Sequence, residues 1–191
     1  GNEMQIWRIM EDPNNYRSLT TPDLSSDERL DIGALFRSGS TLGTKWKPVR
    51  VELWENGDEA RKPIGHFPCL SGLAPLSISA QALQVLSPLI QNQIEVLDLI
   101  TEPPLGTFYA LNIFFADCLD HSRSVFVRFD DGRIMRVDKY AFRPKCLDGK
   151  HLFRLPEVWP YVFADDVFKQ AVEENGLGGL VFYKVPLVDE V

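Results

Sequence analysis

The stretch FADDVFKQAVEENGLGGLVF, Phe163 to Phe182, decides the fold class. Val167, Phe168, Ala171 and Val172 recur at i, i+1, i+4 and i+5, which is one face of a helix. Asp165 can accept from the free amides of the first turn, and Asp165 with Asp166 suits the positive helix end. Gly176 stands where a left-handed C-cap is needed, and Leu177 can pack back on the helix. LVFYKV then reads as a strand. A helix near 165–175 is therefore followed at once by a strand.

Working outward, SAQALQVLSPLI offers a second helix near 79–87. Ser79 is its N-cap, and Leu83, Leu86 and Ile90 share one face. Pro88 is expected to end or kink it. SSDERLDIGALF holds one or two helical turns, weakened by Gly33. The remaining signals are β. MQIWRIM (Met4–Met10), KPVRVELW, IEVLDLI, TFYALNIFF and HLFRL read as strands. SVFVRFDDGRIMRVDKY is a hairpin turning at Asp131-Gly132. Strands and hairpins with about two packed helices make an α+β fold with a mainly antiparallel sheet, not a doubly wound one.

The 191 residues suit a single domain. Residues 1–70 either form an N-terminal subdomain or complete the sheet of a 71–191 core. MQIWRIM and VRVELW each need sheet neighbours, which favours the second arrangement. The opening GNEMQIWRIME carries charges where a secretion signal would be apolar, and no apolar run reaches membrane-spanning length. A cytoplasmic protein with three reduced cysteines, Cys69, Cys118 and Cys146, is the expectation.

The net charge is −7. It argues against a dedicated nucleic-acid binder and suits a basic partner. No Lys or Arg occurs between Lys62 and Arg123, where Glu95, Asp98, Glu102, Asp117 and Asp120 lie. Nine basic residues then fall between Arg123 and Arg154. Either they neutralise neighbouring acids, or they form a patch for an anionic small ligand or an enzyme substrate.

Catalytic and metal motifs are weak. Cys118-x2-His121 and Cys146-x4-His151 could supply four zinc ligands, but the spacing is not that of a finger, and buried structural cysteine is the alternative. Cys146, beside Lys145 and near His151, is the better thiol nucleophile, yet LDGK looks like a surface turn. No serine elbow, phosphate loop or H-E-x-x-H is present. The expectation is no enzyme, no cofactor and no metal. Arg154 lies between Phe153 and Leu155, so on a strand it would face away from them, on a solvated face or as a functional arginine. Trp159, in PEVWPYVF, is either core or an interface anchor.

The chain also resembles a family of bacterial immunity proteins from polymorphic toxin systems, immunity protein family eleven. The resemblance covers about residues 76–182 and is carried by Leu76-Ser77, Leu119-Asp120, Phe153-Arg154-Leu155 and Gly176-Leu177-Gly178-Gly179-Leu180, in that order. It implies a non-catalytic protein that binds and neutralises a cognate toxin; separately, the lack of a spanning apolar run argues against a membrane partner. The resemblance transfers no contact residue. The acidic 71–122 segment with Asp117 and Asp120, together with Arg154 and Trp159, forms the expected contact surface, and an acidic inhibitor suits a basic toxin.

Overall fold

The structure is a computed structural model and describes residues 5–70 and 72–189. Met4, read as part of the first strand, lies outside the described residues. The elements are β1 (Ile6–Glu11), β2 (Leu19–Thr20), α1 (Ser26–Ala34), β3 (Val49–Arg50), β4 (Glu52–Leu53), β5 (Leu76–Ser79), α2 (Ala80–Ile90), β6 (Ile94–Ile100), β7 (Phe108–Ile113), β8 (Val125–Arg128), β9 (Ile134–Lys139), β10 (Leu152–Phe153), β11 (Val162–Asp165), α3 (Asp166–Glu174) and β12 (Leu180–Lys184). The fold is α+β, as expected.

Two four-stranded sheets dominate, in the orders β10-β11-β1-β12 and β3-β6-β7-β5. Their pairings are antiparallel except β3 with β6. The sheets meet at a seam beyond β7. There Arg154 donates its backbone N–H to the Phe114 carbonyl at 3.1 Å, and Ala116 donates to the Arg154 carbonyl at 2.8 Å. Strand β1, from near the start of the chain, lies between β11 and β12 near its end.

One face of both sheets is covered by α2 and α3. Ile9, Leu76, Ile78, Leu111, Leu152 and Ala164 pack there against Leu86, Phe168 and Val172. The other face of the first sheet packs Ile6, Phe153 and Phe163 against Leu119, Tyr140 and Leu147. The other face of the second packs Leu97, Leu99 and Ala110 against Leu19, Phe36, Trp46 and Val51.

The helix ends follow the physics read from the sequence. Asp165 accepts from the Phe168 N–H at 2.9 Å and Ser79 from the Ala82 N–H at 3.0 Å. Leu177 donates to the Val172 carbonyl and Gly176 to that of Glu173, which is the paired closure of a left-handed cap, with Gly176 at φ 61°. Pro88 does not end α2, which runs on to Ile90 because the fully buried Ile90 holds the last turn on the core. Helix α1 is longer than expected. Ser25 and Glu28 form a reciprocal capping box, yet α1 buries none of its residues.

The three-thiol expectation is corrected. Cys118 and Cys146 form a disulfide with Cα atoms 5.6 Å apart. Leu119 bridges Phe142, and Arg143 donates its N–H to the Cys118 carbonyl, so two segments 28 residues apart are laid side by side. Cys69 stands outside the cross-link. Alkylation under non-reducing, denaturing conditions should therefore label one cysteine per chain, and three after reduction. Replacing Cys118 and Cys146 by Ala should cost about 3 kcal/mol in urea unfolding of the oxidised protein.

Glu11 shares a face of β1 with Ile9 and is paired with Leu180. Burial pushes its carboxyl up to about 7, against the pull of its own backbone N–H. The folded state therefore holds this proton more tightly than the unfolded chain. Its contribution is fully present below the ordinary value of 4.5 and is lost as pH rises through about 7. Glu11→Gln should leave urea stability nearly unchanged at pH 4. At pH 8 it should raise stability by up to about 3 kcal/mol.

Candidate functional site

Arg154 is the most constrained polar side chain on the predicted surface, and the structure moves it inside. It is 0% exposed. The alternation argument fails because the strand is covered on both faces. Leu152 packs into the helix-side core and Phe153 into the opposite one, so no solvated face remains for Arg154. Its Nε donates to the Ile113 carbonyl at 2.5 Å, and Nη1 donates to the Phe36 and Trp159 carbonyls at 2.8 and 2.9 Å. Nη2 donates to Asn112 Oδ1 at 3.2 Å, and the guanidinium lies 4.7 Å from the centre of the Phe115 ring. Burial pulls its pKa down to about 10, so it remains charged at neutral pH.

Its counter-charge acts through Asn112. The Asn112 amide donates to Glu95 at 3.0 Å and to the Ser40 carbonyl at 2.8 Å. Glu95 also accepts from the Leu42 and Gly43 N–H groups. Burial tends to raise the Glu95 pKa, but these donors outweigh it and hold the carboxyl below the usual range. Gly39 lies over the same place. A Cβ there would meet the Phe115 ring at 2.2 Å, and its φ is 67°. Arg154 and Glu95 are therefore held within the fold, and Arg154 is withdrawn from the contact surface.

The other expected contact residues lie outside. Asp117 is exposed. Asp120 is half-buried and bonds locally, accepting from the Ser122 hydroxyl and N–H and from the Arg123 N–H. These contacts, the Ser122 hydroxyl first, hold its carboxyl below the usual range. Trp159 packs one side against the third core while facing a cleft of about 460 Å³ beside α1, with the Arg37 guanidinium 5.4 Å from its ring centre. Trp159 is thus partly core, with one edge left at the surface.

The zinc alternative is overturned. Cys118 and Cys146 are bonded to each other, His121 pairs with Glu157 at 2.8 Å, and His151 pairs with Asp165 at 2.7 Å. No group of three His, Cys, Asp or Glu among the described residues is placed to hold a metal ion. His66 Nδ1 lies 2.7 Å from Ser79 Oγ, but that hydroxyl caps α2. Three of the nine basic residues in 123–154 pair with acids, through Arg133–Asp131, Arg136–Asp138 and Arg123–Asp189. Arg143 reaches the Asp117 carbonyl.

Residues 102–186 match the Immunity protein family (Imm11). It is the family that the sequence resembles. The matched segment contains the disulfide, Arg154, Asp117, Asp120 and Trp159, but its strands β11 and β12 are joined only through β1, which lies outside it. The match suggests an immunity function. No curated protein matches the chain. No helix among the described residues is long and apolar enough to cross a membrane.

The seat of Arg154 yields a direct test. Arg154→Leu removes the guanidinium donors of the Ile113, Phe36 and Trp159 carbonyls and of Asn112. It should destabilise the protein by about 3–5 kcal/mol in urea unfolding. Arg154→Lys should recover little of this, since one ammonium cannot reach the four acceptors that a guanidinium fork spans.

Proposed function

We propose that the chain is a non-catalytic immunity protein that binds a cognate toxin and neutralises it by covering its surface. The match of residues 102–186 to an immunity family carries this reading. The internal chemistry supports it. Ser79, Asp165, His66, His151 and Arg154, the side chains that resemble catalytic parts, are engaged in caps, buttresses and backbone contacts.

The partner is a protein toxin made by the same cell, and the −7 charge suits a basic one. Asp117, Asp120 and the outer edge of Trp159 remain proposed contacts. Arg154 acts behind them by fixing the Trp159 backbone.

Co-expression of the chain with the product of the adjacent upstream reading frame tests the proposal. A one-to-one complex and restored growth are expected. A folded chain that neither binds nor rescues would overturn the reading.

A further inference from the structure

The surface carries a cleft that the sequence reading passed over. Residues 51–55 form one wall, and the turn after β6, with Glu102, Pro104 and Leu105, forms the other. The cleft holds about 570 Å³. Two large apolar side chains stand half-exposed in it, Trp54 at 45% and Ile64 at 46%. Three glutamates, Glu52, Glu55 and Glu102, complete the lining, and no lysine or arginine lines it.

Trp54 is fixed from behind. Its N–H donates to the Ser18 carbonyl at 2.9 Å, and its own carbonyl accepts from Arg17 at 3.4 Å. An indole on an anchored backbone adds contact area with little ordering cost, which is how aromatic residues come to dominate interfaces. Glu52 pairs with Arg50 at 3.0 Å and Glu55 with Arg17 at 3.6 Å, the glutamates exposed and the arginines more covered behind them. Such pairs are weak, so an incoming cation can share these carboxylates. Glu102 is exposed and forms no ion pair among the described residues.

We infer that this cleft docks an arginine-bearing segment of the toxin, with the arginine stem against Trp54 and Ile64 and its guanidinium toward Glu102 and Glu55. The inference rests on the immunity reading and names where and how the partner is held. An apolar stem with a cationic planar head matches both halves of the lining: the indole face attracts the guanidinium, and a carboxylate can take it bidentately. Anionic occupants such as nucleic acid or lipid headgroups would face three lining glutamates and no lining cation.

The experiment compares binding of the co-expressed partner by the wild-type chain, Trp54→Ala, Glu55→Lys/Glu102→Lys, and Val125→Ser on the exposed β8. Circular dichroism and urea midpoints check that each variant is folded. Trp54→Ala should weaken affinity by about 30-fold or more. The double reversal should slow association by about 10-fold or more at low salt and flatten its salt dependence. Val125→Ser should bind as wild type. If the folded cleft variants bind as tightly and as fast as wild type, the cleft is not the dock, while the immunity reading stands. If the wild-type chain itself forms no complex, the immunity reading falls, and this inference falls with it.

Discussion

A single buried guanidinium holds the two sheets and the N-terminal covering segment to one another. Arg154 bonds to Ile113 at the end of β7, to Phe36 in the N-terminal segment and to Trp159 before β11. Placing this charge inside is costly, and among the described residues no carboxylate pairs with it directly. The cost is met by neutral carbonyl dipoles and by Asn112, which links Arg154 to Glu95. Because Glu95 also ties down Leu42 and Gly43, the network fixes the 36–43 loop against the second sheet. Gly39 permits this closeness, since a side chain there would occupy the space of the Phe115 ring.

The two helices that share the central core have the same support. The Ser79 cap of α2 is contacted by His66, and the Asp165 cap of α3 by His151. Gln93 adds a third tie, accepting from the His151 and Leu152 N–H groups across the gap between α2 and β10. Buried polar groups in this protein are mostly joined into such networks, and they lock the arrangement of elements as they satisfy hydrogen bonds. That pattern fits a rigid scaffold presenting a preformed surface.

Much of this arrangement was legible in the sequence, for local reasons. Asp165, Ser79, Gly176 and the Asp131-Gly132 turn act through neighbours within a few residues, and all do what their types dictate. Arg154 was misread because alternation presumes one wet face, and here both faces are covered. The Cys118–Cys146 bond was invisible because the bridge from Leu119 to Phe142 that aligns the two segments is itself a long-range contact. Strand β11 gives no strand signal of its own, since Val162, Phe163 and Ala164 are all buried and show no alternation. The Trp54 cleft joins residues about fifty positions apart, so only the absence of cations after Lys62 hinted at it.

The position of that cleft bears on how an immunity protein can be specific. One wall, Glu102 to Leu105, opens the family-matched segment, and the other, residues 51–55, lies outside it. The strands behind the first wall are buried in two cores and held by the Arg154 network, so they cannot change without cost. Trp54 and Glu55, in contrast, follow two-residue strands, and Glu55 stands well out in solvent. Substitutions there disturb few internal contacts. If the proposed docking holds, partner choice would shift at Trp54 and Glu55 while the Arg154-held scaffold keeps the fold.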